Sequence, residues 1–146
     1  MSTDNELDEL YRELILDHYR NPRNSDYIHE AQHKAEGFNP FCGDQVNLQI
    51  MADKSGTIEA IGTQGKGCSI SQASASMLTE TIKGKSLTRA KSSSDAFRRL
   101  LRGEHLEESE LDDLGILEAF QGVRKFPVRI KCALLPWTTM EEALER

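Results

Sequence analysis

Apolar side chains recur at helical spacing near both ends of the chain. Near the N-terminus they are Leu7, Leu10, Tyr11, Leu14 and Ile15, followed by His18 on the same face. This spacing is typical of an amphipathic helix, and Asn21-Pro22 predicts its end because proline cannot continue a helix. A last helical region is expected to begin at Pro127 and to end near residue 146. It carries Cys132, and Pro136 is expected to kink it beside that thiol.

Strict alternation replaces the helical spacing in the first half of the chain. Val46, Leu48 and Ile50 alternate with polar residues, which predicts a half-buried strand. Residues 53–56 are typical of a turn, and residues 57–63 predict a second strand, so the two form a hairpin. The glycines that follow are expected to end the second strand.

Two further helices are predicted between this hairpin and the C-terminal region. Residues 69–83 form the first, with Gly84 placed to end it. The apolar face of the second contains Ala96, Phe97, Leu100 and Leu101. A chain of 146 residues fits a single domain, spanning residues 1–146. The expected fold class is α+β, with a small antiparallel β-sheet of about three strands packed against several α-helices.

An acidic segment separates these helices from the last one. Residues 103–122 contain seven acidic residues and neither Lys nor Arg. Leu111, Leu114 and Leu117 predict a short amphipathic helix within it, with a solvated acidic face. We expect this acidic insertion to be a surface decoration, serving as a cover or a partner surface and lying outside any metal site.

Composition narrows the possible partners and the compartment. A net charge of −6 with scattered basic residues argues against nucleic-acid binding. No apolar run approaches the roughly 20 residues that cross a membrane, so no membrane partner is expected. The N-terminal residues lack the basic and apolar regions of a signal peptide. A cytoplasmic location is therefore expected, where the three cysteines stay reduced.

The three cysteines and one aspartate are candidate metal ligands. Cys42 and Asp44 flank a glycine, which allows both side chains to reach one ion. Cys68 opens a predicted helix, whose N-terminal dipole favours a thiolate. Cys132 follows basic residues that also favour the thiolate form. The basic residues expected to support the site are Lys66, Arg129 and Lys131.

A set of three thiolates and one carboxylate suits either zinc or an iron–sulfur cluster. Ligand type alone does not choose between them. The carboxylate is a poorer zinc ligand than a fourth thiolate, so we expect the site to exchange ligands readily. His33 lies within ten residues of Cys42 and is a less favoured further ligand.

Four ordered segments resemble the IscU/NifU-like family of iron–sulfur cluster assembly proteins. They are the Tyr11 to Asn24 stretch with its Asp-His-Tyr-Arg-Asn-Pro-Arg run, the Asn39-Pro40-Phe41-Cys42-Gly43-Asp44 loop, the Gly-Lys-Gly-Cys-Ser-Ile-Ser stretch around Cys68, and Lys83 to Leu87, followed by Cys132. Together they span nearly the whole chain. The resemblance implies the fold of the IscU/NifU N-terminal domain.

Within the family the chain looks most similar to the SufU-like branch. Lys131 occupies the position where IscU-type proteins usually have a histidine, and residues 103–122 resemble the SufU-like insertion. This resemblance implies zinc held by Cys42, Asp44, Cys68 and Cys132. It also implies a SufS-like cysteine desulfurase as partner, with cluster-assembly proteins acting downstream.

Three functions are therefore compatible with these residues. The favoured one is a zinc-dependent sulfur acceptor, or sulfurtransferase, in which Cys42 takes persulfide sulfur from the desulfurase after the desulfurase supplies a replacement ligand. The second is a scaffold that assembles a [2Fe-2S] cluster on the same ligands and transfers it. The third, from another class, is a structural zinc domain that acts only as an interaction module.

Overall fold

The computed structural model describes residues 3–40 and 43–145, with side chains from residue 6 onward. Three strands and five α-helices are present in this part of the chain, as predicted for an α+β fold. No helix among the described residues is long and apolar enough to cross a membrane. In chain order the elements are α1 (Thr3–Arg20), β1 (His33–Asn39), β2 (Asp44–Ala52), β3 (Ile58–Lys66), α2 (Ser69–Ile82), α3 (Leu87–Leu101), α4 (Glu108–Leu114), a 3₁₀ helix (Gly115–Lys125) and α5 (Pro127–Glu145).

The sheet is antiparallel in the order β1-β2-β3. The predicted hairpin is confirmed as β2 and β3, whereas β1 was not located from the sequence. Its residues do not alternate between apolar and polar, and its largest apolar side chain, Phe38, is 63% exposed. β1 therefore owes its place to pairing with β2 and to the helix packed on it.

That helix is α5, which approaches β1 very closely at a glycine. A Cβ at Gly37 would overlap the Oγ1 of Thr139 and lie 3.2 Å from the Cδ1 of Leu135. Only a residue without a side chain permits this contact. The predicted start of α5 at Pro127 is confirmed, and the helix continues through Pro136. Close packing of α5 on the sheet fixes the position of Cys132.

Small polar side chains let α2 pack between α1 and α5. Ser71, Ser74, Ser76 and Thr79 are all buried on this helix. The Ser74 hydroxyl donates to the Ala133 carbonyl of α5 at 2.6 Å. Buried hydroxyls need such partners, and here they join the helices directly.

His18, on the apolar face predicted for the first helix, joins α1 to α2. The side chain is 2% exposed, and its Nδ1 lies 2.7 Å from the Ser76 hydroxyl. That hydroxyl also accepts the backbone N–H of Arg23 at 2.9 Å. Burial, and then the charge of Arg23, lower the pKa of His18, while Glu80 and Asp17 oppose that shift.

The expectation that the acidic insertion is a surface decoration is wrong. Leu114, Leu117 and Phe120 are each at most 1% exposed and belong to the main hydrophobic core. The ring of Phe120 meets that of Phe97 of α3 edge-on, with centroids 5.7 Å apart. The leucine spacing correctly predicted a helix, but the apolar face of that helix is part of the hydrophobic core and does not merely cover the core.

The acidic face of the insertion is also partly paired. Asp113 lies 2.6 Å from a guanidinium nitrogen of Arg89 and 3.4 Å from the Lys85 ammonium. Glu110 pairs with Arg99 of α3, with one nitrogen–oxygen distance of 3.3 Å. These ion pairs attach α4 to α3, so part of the face predicted to be solvated is instead paired within the fold.

The buried His18 predicts a pH-dependent stability. Since its folded-state pKa is lowered, the unfolded chain takes up a proton first as pH falls below about 6.5. The free energy of unfolding should therefore decline between about pH 7 and 5, above the range where carboxylates titrate. His18→Gln should flatten that slope in denaturant titrations. The matched control His105→Gln, on an exposed side chain, should leave it unchanged.

The core position of the insertion predicts a large effect at Phe120. Phe120→Ala should lower the free energy of unfolding by about 3–5 kcal/mol, because it leaves a cavity beside Phe97. Ile116, in the same 3₁₀ helix, is 37% exposed, and Ile116→Ala should cost much less. Denaturant unfolding of both variants measures the difference. Equal losses would contradict the core assignment.

Candidate metal centre

Asp44, Cys68 and Cys132 converge at one end of the sheet. A carboxylate oxygen and the two Sγ atoms all lie within 4.8 Å of one another. Cys42, the fourth predicted ligand, lies outside the described residues, in the connection between β1 and β2. Three of the four predicted ligands are therefore brought together from three different elements.

Asp44 is the first residue of β2 and is 1% exposed. Its Oδ1 accepts the backbone N–H of Cys68 at 2.7 Å, and its Oδ2 lies 3.6 Å from the Cys68 Sγ. One oxygen thus fixes the carboxylate while the other faces the thiol. A buried carboxylate needs such a partner, because an unpaired buried charge is costly.

Gly67 makes the contact between Asp44 and Cys68 possible. Its φ is +132°, a conformation that L side chains rarely adopt. A Cβ there would overlap Asp44 Oδ1 and lie 2.8 Å from the Asp44 Cα. Glycine is therefore required for two reasons at this position, backbone conformation and space.

Cys68 caps the N-terminus of α2, as the sequence predicted. Its backbone is extended, with φ −71° and ψ 162°, and the helix begins at the next residue. The Ser71 hydroxyl donates to the Cys68 carbonyl at 3.1 Å and lies 3.8 Å from its sulfur. The Cys68 side chain therefore lies at the N-terminal end of α2, beside the Asp44 carboxylate.

Cys132 is buried on α5 at 1% exposure. The side-chain amide of Asn39, at the end of β1, donates to the Cys132 sulfur at 3.5 Å. No role of its own was predicted for Asn39 from the sequence. Its only signal was a place in the segment that precedes Cys42.

An open groove of about 550 Å³ leads to the two thiols. Cys68 and Cys132 line it together with Ile70 and Phe126. Phe126 and Val128 are 50% and 57% exposed, so the rim is apolar and accessible. Neither residue was predicted to be functional, although two apolar residues on either side of the proline that starts α5 were a visible signal.

The three cations predicted to support the site occupy different places. Arg129 lines the groove with both thiols, and its guanidinium stacks 4.8 Å from the centre of the Phe126 ring. Lys131 lines a neighbouring groove with Asn39. Lys66 is exposed at the end of β3. Their electrostatic support of the site stays a prediction.

The donor set fits zinc. Zinc accepts thiolate and carboxylate ligands. Here two thiol sulfurs and one buried carboxylate oxygen lie within 4.8 Å of one another, and the groove leaves one side of this cluster accessible. His33 is not part of the cluster among the described residues. It sits at the other end of β1 from Asn39, paired with Ile50.

Comparison with known sequences gives similarities over the whole chain. A model of the NifU-like N-terminal domain family matches residues 10–133. The chain is 44% identical over 146 residues to the Bacillus subtilis protein named zinc-dependent sulfurtransferase SufU, covering 100% of this chain and 97% of that protein. It is 36% identical over 140 residues to the Streptococcus pyogenes iron-sulfur cluster assembly scaffold protein IscU, covering 96% of this chain and 86% of that protein.

Solved structures share the fold. A putative iron-sulfur cluster assembly scaffold protein for the SUF system from Fervidobacterium islandicum superposes with a TM-score of 0.84 at 34% identity, covering 90% of this chain and 94% of that one. A NifU-like N-terminal structure from Brucella abortus gives a TM-score of 0.78 at 21% identity, covering 94% of each chain. The second likeness supports the fold alone.

The contact across Gly67 predicts a selective loss of metal. Gly67→Ala should displace the Asp44 carboxylate and reduce bound zinc well below one ion per chain, measured by elemental analysis. Gly56→Ala is the matched control, since Gly56 also has a positive φ, of +85°, but has open space where the Cβ would go. It should keep its metal. Normal zinc in Gly67→Ala would contradict the role given to this glycine.

Proposed function

The chain belongs to the family of NifU-like N-terminal domains, and on that basis we propose that it is a zinc-dependent sulfurtransferase of the SufU type acting in iron–sulfur cluster assembly. The observation that carries the proposal is the convergence of Asp44, Cys68 and Cys132 beside an open groove. The full-length 44% identity to the Bacillus subtilis SufU supports the same assignment.

Cys42, Asp44, Cys68 and Cys132 would hold the zinc ion. Bound zinc would keep the thiols deprotonated near neutral pH, which is the form that reacts with sulfur electrophiles. The chain's own residues prepare this site: the Cys68 N–H orients the Asp44 carboxylate, and Cys68 itself is held at the start of α2.

Cys42 is proposed as the sulfur acceptor. Its thiolate attacks the terminal sulfur of a persulfide on the partner enzyme, and a new S–S bond forms on Cys42. The S–S bond to the partner cysteine breaks, and that cysteine leaves as a thiolate, so no external oxidant or reductant is needed. Cys42 lies in the short connection between β1 and β2, whereas Cys68 and Cys132 are anchored on helices. This contrast favours Cys42 as the carrier.

The proposed partner is a SufS-like cysteine desulfurase, and cluster-assembly proteins would receive the sulfur afterwards. The half-exposed Phe126 and Val128 beside the thiols support docking of a protein there, because such apolar side chains are otherwise costly to leave in water. The reaction is proposed to take place in the cytoplasm, where thiols remain reduced.

A scaffold for a [2Fe-2S] cluster is the second candidate. The 36% identity to the Streptococcus pyogenes IscU favours it, and the same four ligands would hold the cluster. The two candidates differ in what the protein carries when purified anaerobically without added iron. Colourless protein with one zinc supports sulfur transfer, whereas brown protein with iron and sulfide supports the scaffold.

A structural zinc domain is the third candidate, and the groove argues against it. Structural zinc sites are normally closed, with four Cys or His ligands. Here a carboxylate is one of the candidate ligands, and the two thiols line an open groove.

Cys42→Ser tests the sulfur-acceptor role. A serine hydroxyl cannot form a persulfide, so the variant should fail to stimulate a cysteine desulfurase in turnover assays. In wild-type protein incubated with desulfurase and cysteine, mass spectrometry should find one added sulfur on the peptide that contains Cys42.

The control for this test is the fold and metal content of the variant. The circular dichroism spectrum and the zinc content must both match wild type, since loss of metal or of the fold would imitate the chemical effect. Persulfide found only on Cys68 or Cys132, with Cys42→Ser still fully stimulating, would rule out Cys42 as the acceptor and leave the metal site in place.

A further inference from the structure

Asn39 lies directly before the connection that contains Cys42. It is the last residue of β1, and its cross-strand partner is Asp44, the first residue of β2. Only residues 40–43 lie between them. Directly paired residues of an antiparallel ladder project to the same face. Asn39 and Asp44 therefore stand together at the base of this connection, on the face that packs against α5.

The side chain of Asn39 points into the site and not into solvent. It is 6% exposed, and its amide nitrogen lies 3.5 Å from the Cys132 sulfur. A primary amide of this kind donates hydrogen bonds from nitrogen, while a thiolate can only accept them. The geometry is therefore that of an N–H···S hydrogen bond to one of the candidate metal ligands.

Two packing contacts hold this hydrogen bond in place. Gly37, two residues before Asn39 on the same face, lets α5 lie directly on β1. Cys132 belongs to that helix, one turn before Leu135, which also contacts the Gly37 position. Asn39 thus contacts the Cys132 sulfur from a strand that is paired with β2 along one edge and packed against α5 on one face.

We propose that Asn39 is a positioning residue of the metal site, which orients the Cys132 sulfur and tunes how strongly it donates to the metal. This inference deepens the proposed function and rests on the metal site described there. An N–H donor draws electron density from a thiolate and fixes its lone pairs, as partners of metal ligands generally do. The donor is neutral, so it adds no charge to the site.

The test is a pair of identical substitutions on the same hairpin. Asn39→Leu has nearly the same size as asparagine and removes the donor. Asn47→Leu is the matched control, because Asn47 lies on the neighbouring strand, faces the other side of the sheet and pairs with Glu36. Zn²⁺ affinity is measured by competition with a chromophoric chelator. We expect it to fall about tenfold in Asn39→Leu and to stay unchanged in Asn47→Leu.

A spectroscopic measurement separates tuning of the sulfur from a general loss of packing. With Co²⁺ in place of zinc, the thiolate-to-cobalt charge-transfer band reports the energy of the sulfur electrons. Loss of the N–H donor should raise that energy and move the band to longer wavelength. A band that stays in place, even with weaker affinity, would overturn the proposal, because a merely structural residue would behave in that way.

The outcomes distinguish this inference from the proposed function. Wild-type protein that binds no Zn²⁺ would overturn both. Wild-type protein that binds one Zn²⁺ per chain, with Asn39→Leu identical in affinity and spectrum, would overturn the role of Asn39 alone. If circular dichroism shows that leucine disrupts the fold, Asn39→Ala removes the same donor without added bulk and is judged by the same two measurements.

Discussion

The hydrogen bond from the Cys68 N–H to the Asp44 carboxylate joins the sheet to the helices at the point where the site is built. It runs from the N-cap residue of α2 to the first residue of β2 and spans 2.7 Å. Gly67 permits it, since any side chain there would occupy the space of the carboxylate. With this contact made, one carboxylate oxygen and one sulfur face each other, and α5 adds Cys132 to them.

The rest of the core determines where α5 lies, and thus where Cys132 lies. Gly37 allows α5 to rest on β1, and the buried hydroxyl of Ser74 ties the same helix to α2. Both contacts depend on small residues. A larger side chain would push α5 away from its neighbours, and Cys132 would then lie too far from the other candidate ligands. Tight packing of this kind is what holds a ligand in one geometry before any metal binds.

The acidic insertion shows how charge is divided between fold and function. Glu110 and Asp113 pair with basic residues of the neighbouring segments, and Phe120 completes the core beneath them. Some of the acidic side chains therefore form ion pairs that attach this segment to the rest of the fold. The groove beside the thiols keeps a different character, with half-exposed Phe126 and with Arg129 stacked on it. That contrast suits a surface at which a protein partner is recognised by apolar contact and by charge together.

The sequence alone determined the local elements and the chemistry of the ligands. The spacing of apolar residues predicts α1 and the β2–β3 hairpin. The glycine before Cys68 and the proline at the start of α5 mark element boundaries, since these signals act over a few neighbouring residues. Only the tertiary structure decided the rest. β1 has no apolar alternation, the leucines of the insertion do not reveal which core they enter, and nothing near Asn39 in sequence indicates that its amide meets Cys132, 93 positions away. Those outcomes depend on contacts between distant segments, which a local pattern does not contain.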